Sequence, residues 1–311
     1  NTSSITDGMD ASFFLGQSNG TSNSSATTQS GMSGPKEVLY DASSKLYVAD
    51  TNNNRVLVFT SFVTGASAAN VLGQANFTSG SGNRGSSTAA NSMYNPDGFA
   101  YKSSSSLLFV GDLYNNRIAV YNVSAISDGE DAVNVLGQAN FTSSSNLTTQ
   151  GGMSGPRGMD YDTTNNYLYA TDSYNSRVMV FDAGTVRDAE NAADELGQLD
   201  FTALSTQTVS YTQEGVNSGP HPYGLNLATA VAVDTTNNRL FVADYYNNRV
   251  LVFNLNSSTK QLVDHQADNV LGQSNFTTTD TSWPPTAASL SNPQGLAADP
   301  ANNRLYVADT S

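Results

Sequence analysis

Apolar residues in this chain fall into short runs divided by Asn, Ser, Thr, Gly and Pro, and the same four runs keep returning. The first follows a Pro or Gly lead-in: GPKEVLYD (34–41), NPDGFAYK (95–102), GPRGMDYD (155–162), ATAVAVD (228–234) and NPQGLAAD (292–299). The second is LYVAD (46–50), with copies ending at Asp112, Asp172, Asp244 and Asp309. The third is RVLVF (55–59), repeated at 117–121, 177–181 and 249–253. The fourth ends in LGQ, at 15–17, 72–74, 136–138, 196–198 and 271–273. Runs of 4 to 6 residues suit strands and are too short for helices. The run RVLVF is apolar on both faces, Val56 and Val58 on one and Leu57 and Phe59 on the other, as expected of a strand covered on both sides. TTNN (163–166, 235–238) and the Asn-Asn pairs at 115–116 and 247–248 mark tight turns, because Asn tolerates left-handed backbone.

Recurring four-stranded units with two apolar faces are accommodated by radial stacking, which predicts an all-β fold, a β-propeller. The P-x-G-apolar-x-apolar-D lead strand followed by L-Y-V-A-D-x-x-N-N-R-apolar-x-V-F resembles the NHL-repeat family, over nearly the whole chain. The resemblance implies a propeller of about five four-stranded blades in one domain (1–311), with units near 18–74, 75–138, 139–198, 199–273 and 274–311 plus 1–17. A fold of this kind hosts many functions, so it does not choose among them.

Residues 122–138 align without a gap on 1–17, and the last run, LYVADTS (305–311), matches LFVGDLY (108–114). Joined tail to head, the units form a ring short of one NNRIAVY-like piece. The last blade is then expected to take residues 13–17 as its fourth strand and to keep a slot for its third. The expected occupant is a strand from a neighbouring chain or from an extension of this one, since open strand edges invite association.

The net charge of −14 disfavours nucleic acid and anionic membrane as partners. Charged residues make up only 13%, against about 25% in an average soluble domain, and the polar surface is Ser, Thr, Asn and Gly. With no cysteine and no apolar stretch long enough to span a membrane, this composition suits an extracellular or cell-surface protein without disulfides.

Nine N-x-S/T sequons stand at Asn1, Asn19, Asn23, Asn76, Asn122, Asn140, Asn146, Asn256 and Asn275. Four of them (Asn19, Asn76, Asn140, Asn275) lie two residues after the Gln of LGQ, where the fourth unit has Asp200. An Asn-to-Asp exchange there suits a structural turn; a ring of glycans is the other reading, and the two are compatible. The pairs Asp50/Arg55, Asp112/Arg117, Asp172/Arg177 and Asp244/Arg249 recur in each unit and read as structural ion pairs. Tyr114, Tyr174, Tyr245, Tyr246 and Trp283 are candidates for a protein- or sugar-binding rim, with packing against the next blade as the alternative.

Two histidines, His221 and His265, are too few for the zinc site of NHL-like amidating lyases, and both read as exposed loop residues. Calcium needs only oxygen ligands, but DGEDA (128–132) and RDAENAADE (187–195) lack EF-hand spacing and read as solvated faces. No nucleophile motif or glycine-rich phosphate loop is present. The expectation is a non-catalytic structural or adhesive propeller, part of a larger surface assembly or filament, without cofactor. A glycan- or protein-binding module is the second reading. A lyase or hydrolase with a site on the propeller axis, near Asp160, Asp162, Asp234 and Asp299, is the third.

Overall fold

The computed structural model describes residues 7–41, 43–198, 200–202, 220–281 and 284–310. The chain divides into two compact units, Asn1–Pro96 with Ala125–Asp131, and Asp97–Ser124 with Ala132–Ser311.

The first unit is built on one antiparallel sheet, β1 (Pro35–Tyr40), β2 (Leu46–Asp50), β3 (Arg55–Phe59) and β4 (Asn70–Leu72), paired in that order. Its core joins Val48, Leu57, Phe59 and Val71 to Met32 and Ala68. The strands β2 and β3 are joined by a single 3-10 turn, Thr51–Asn53, closed by Asn54 in the left-handed region (φ 53°, ψ 45°). The Asn-rich turn of the sequence is therefore longer than a two-residue hairpin, and Asn is chosen because it adopts positive φ cheaply.

The second unit repeats this plan. One four-stranded sheet is β5 (Pro96–Lys102), β6 (Leu107–Asp112), β7 (Arg117–Asn122) and β8 (Asn134–Leu136). The next is β9 (Pro156–Asp162), β10 (Tyr167–Asp172), β11 (Arg177–Asp182) and β12 (Asp194–Leu196). The last full sheet is β13 (Ala228–Asp234), β14 (Arg239–Asp244), β15 (Arg249–Asn254) and β16 (Asn269–Leu271). A two-stranded sheet, β17 (Pro293–Asp299) and β18 (Arg304–Asp309), follows. These are the blades of a β-propeller.

Within this unit the lead strands approach very closely. A Cβ on Gly98 would stand 2.0 Å from the Arg157 carbonyl oxygen, and one on Gly158 would stand 2.6 Å from Ala230 Cα. The glycine of P-x-G is thus required by backbone-to-backbone contact between successive blades.

One expectation fails. Residues 13–17 form no strand. Phe14 instead bonds the 62–66 loop, donating its N–H to Thr64 Oγ1 (3.3 Å) and accepting from Gly65 N–H (3.0 Å), and Leu15 packs on the core of the first unit. A run of this kind becomes a strand only beside a third-run partner, as β4 does beside β3. The fifth blade accordingly has two strands among the described residues.

Candidate interaction surfaces

The recurrent Asp/Arg pairs are buried ion pairs. Arg55, Arg117, Arg177 and Arg249 are among the largest fully buried side chains. Each donates from Nε to its aspartate, at 2.6, 2.8, 2.7 and 2.6 Å in turn. The rest of the guanidinium ties two loops together. Arg177 donates to the carbonyls of Thr149 and Gly152 ahead of its blade and of Phe201 behind it. Arg249 does the same with His221, Gly224 and Phe276, and Arg55 with Thr28, Gly31 and Phe77. The aspartate also accepts from the Asn three residues on, and from a backbone N–H ahead of the blade, such as Ser154 to Asp172 at 2.6 Å. A planar fork of five donors is needed for this work, which is why the position is Arg and never Lys.

The sequon asparagines are turn-makers. Asn19, Asn76 and Asn140 each accept, on one Oδ1, from the N–H groups and hydroxyls of the residues two and three further on. Asn275 and Asp200 repeat the first half of this pattern with Thr277 and Thr202. Asn122 and Asn256 make similar turns, and Asn146 accepts from Asn116 at 2.6 Å. Asn23 lies on a cleft of the first unit, and Asn1 lies outside the described residues.

Tyr114, Tyr174 and Tyr246 occupy the same place in successive 3-10 turns and are 49%, 46% and 49% exposed. Tyr245 packs edge-on against Tyr246, with 5.0 Å between centroids. Trp283 lies outside the described residues. Asp162, Asp234 and Asp299 are absorbed in local turns with Asn165, Asn237 and Asn302. Asp160 accepts from the Val233 N–H (2.8 Å) of the next blade, and burial pushes its carboxyl up to about 6. Among the described residues no three His, Asp or Glu side chains converge.

Several working residues escaped the sequence reading. The acidic stretches are edge caps as well as solvated loops. Asp128 accepts from the Val71 N–H and the Asn70 side chain at the outer edge of β4, and Asp188 does so for Val135 and Asn134 at β8. At β12 the roles exchange. Asp194 stands where Asn70 and Asn134 stand, and His265 from the next blade bonds it at 2.8 Å. That bond raises the imidazole pKa. His221 is half-buried, not exposed, and its carbonyl is part of the Arg249 clamp. Glu195 replaces the valine of the other fourth strands, and burial carries it to about 7 against the pull of Arg177, 3.1 Å away.

Residues 225–253, which span β13 to β15, match the family model described as NHL repeat. These three strands are similar to an NHL repeat. No curated protein gives a significant match to the chain. Among solved structures, one from a crystal structure of a nidogen/laminin complex is similar, at 16% identity and a TM-score of 0.46, over 88% of this chain and 72% of that one. Two surfaces stand out within their own units. The strand β18 pairs only with β17 among the described residues, and Tyr306 on it is 55% exposed. On β1, Val38 and Tyr40 are 60% and 61% exposed, unlike the buried apolar residues of β5, β9 and β13.

Proposed function

We propose that this protein is a non-catalytic, extracellular NHL-type propeller that associates with other polypeptides by accepting a β-strand, as a subunit of a surface assembly. The observation that carries this reading is the edge of β18, an apolar strand that pairs only with β17 among the described residues. An unpaired edge offers a row of backbone donors and acceptors to a further strand. The exposed Val38 and Tyr40 add apolar area of the sort found at interfaces. The weakly charged surface and the exposed sequon turns support the extracellular part of the proposal, with N-glycans on Asn19, Asn76, Asn140 and Asn275.

Sedimentation of the native protein tests the association. Species heavier than the 32.8 kDa chain are expected at micromolar concentration, and Tyr306→Lys should weaken their formation about tenfold or more. A single 32.8 kDa species at every concentration sinks self-association. Hexose-sized mass increments on the native chain check the glycans. The equivalent placing of Tyr114, Tyr174 and Tyr246 favours a second reading, an aromatic binding rim, which sugar titration of tyrosine fluorescence examines.

A further inference from the structure

Two positions of the repeat vary while the frame around them stays constant. One is the second residue of the lead strand, which is Asp97, Arg157, Thr229 and Gln294 in β5, β9, β13 and β17. The proline before it and the glycine after it recur in three of these four strands. The other is the middle residue of the 3-10 turn, which is Tyr114, Tyr174 and Tyr246 in the second unit but Asn52 in the first. Asn52 and Tyr174 occupy the same place. A Cβ on Gly34 would stand 2.4 Å from Asn52 Nδ2, as one on Gly155 would stand 2.4 Å from Tyr174 Cδ2. The turn therefore does not require a ring, and the lead strand does not require a charge.

At β9 the two variable positions meet, inside the second unit. Arg157 Cζ stands 5.9 Å from the centre of the Tyr174 ring, and Arg157 Nη1 stands 3.6 Å from Asp97 Oδ2 on β5. The side chains of Arg157 and Asp97 are 24% and 15% exposed, so a ligand in solution reaches both. This guanidinium is unlike the clamps. Arg177 and Arg249 donate to carboxylates and carbonyls from two loops. Arg157 makes no side-chain hydrogen bond among the described residues, and its Nε is buried without a partner. Orphaned donors of this kind cost stability, so the fold alone does not account for this one. A gap of 3.6 Å suits an ion pair but is too long for a direct hydrogen bond, and a small polar group bridges such a gap. The guanidinium only donates and the carboxylate only accepts, so the bridging group must do both, as a hydroxyl does.

We infer that Asp97, Arg157 and Tyr174 form a subsite for a neutral hexose unit of a glycan. The inference rests on the aromatic-rim reading above and names the ring, the polar pair and the ligand class. A hexose carries adjacent hydroxyls, each able to donate and accept, and a face of C–H groups that packs on the electron-rich face of a tyrosine ring. An anionic sugar fits less well, because the Asp97 carboxylate beside the guanidinium and the net charge of −14 both oppose it. Tyr246 lacks the polar pair. Thr229, at the second position of its blade, commits its hydroxyl to the Pro293 carbonyl at 3.0 Å.

The test is affinity electrophoresis of the folded chain through native gels holding dextran, mannan or galactan, three neutral hexose polymers, or polygalacturonate, an anionic one. Retardation by at least one neutral polymer is expected. Arg157→Gln and Tyr174→Asn should each lower that apparent affinity at least fivefold, and Tyr246→Asn should change it less than twofold. The chain itself carries the replacing residues at equivalent places, as Gln294 and Asn52, and thermal melting checks that each variant folds. Retardation by a neutral polymer that is lost in Tyr246→Asn but kept in Arg157→Gln and Tyr174→Asn overturns the subsite and leaves the rim reading standing. Stronger retardation by polygalacturonate than by any neutral polymer overturns the neutral-hexose assignment. No retardation in any gel overturns the subsite and the rim together.

Discussion

The charge economy of the chain is visible in single residues. Thirteen basic residues serve the whole protein, and four of them are buried clamps. Arg249 shows what such a clamp holds: one carboxylate and three carbonyls from two loops, with no solvent contact. A lysine keeps the charge but has one nitrogen, and it cannot span Asp244, Gly224 and Phe276 together. Arg249→Lys is therefore expected to lower unfolding free energy by about 2–4 kcal/mol, read from the urea midpoint. A loss under about 0.5 kcal/mol, the level of an exposed pair, would show that the loop contacts contribute little. Glu195 is the opposite case, a carboxylate where Val71, Val135 and Val270 stand in the other blades. Among the described residues its carboxylate is bonded by Arg177 alone, which also holds Asp172 and three carbonyls. Glu195→Val should stabilise the protein at pH 7 by about 1–2 kcal/mol, since an apolar residue replaces a poorly compensated buried charge. Calorimetry at neutral pH decides the sign.

At the scale of elements, the lead strands set how closely blades stack. Gly98→Ala drives a Cβ into the Arg157 carbonyl, whereas a Cβ on Gly295 meets only Ala308 Cβ, at 3.5 Å, an ordinary contact. Gly98→Ala should cost more than about 3 kcal/mol or abolish soluble expression, while Gly295→Ala stays within about 1 kcal/mol. Matching losses at the two positions would mean that the tight approach of β5 and β9 does not set the stability. These same elements show what was legible beforehand. The strand runs, their order and the Asp/Arg pairing are local in sequence, and they appear at the expected positions from β1 to β18. The work of the LGQ glutamine was not legible, although the motif recurs five times. The glutamine's partners lie 7 residues away on one side and 20 or more on the other, as Ser81 and Asn54 do for Gln74, and only the fold brings them together. The expectation for 13–17 failed for the complementary reason: the pattern of a fourth strand persists there, but hydrogen bonding requires a third strand beside it, and the loop at 62–66 takes its place.

For the whole molecule, several titrating groups push stability in one direction. Asp160 and Glu195 have folded-state values of about 6 and about 7, raised above the ordinary 3.8 and 4.5 by burial. Between those limits the folded chain holds more protons than the unfolded one, so stability falls as pH rises from about 4.5 to 7. His265 adds to the same trend. Its bond to Asp194 raises its value above 6.5, so its contribution is complete below 6.5 and is lost as pH climbs through the folded value. Asp41 works the other way, held low by hydrogen bonds from Lys45, Tyr47 and Ser43 that outweigh its burial, and its contribution disappears only in acid below about 4. The midpoint of thermal unfolding should therefore peak near pH 5 and decline toward pH 8. Glu195→Val should flatten the part between pH 5 and 7. His265→Asn, which restores the uncharged Asn–Asp latch of β4 and β8, should flatten the part above 6.5. A midpoint that climbs from pH 5 to 7 in the unmodified chain would refute this assignment. Because Asp194 and His265 join successive blades where Asn and Asp do so elsewhere, the same experiment separates a latch between blades from a mere surface charge. Only a latch gives protection of the β12 amides from hydrogen exchange that weakens as His265 loses its proton.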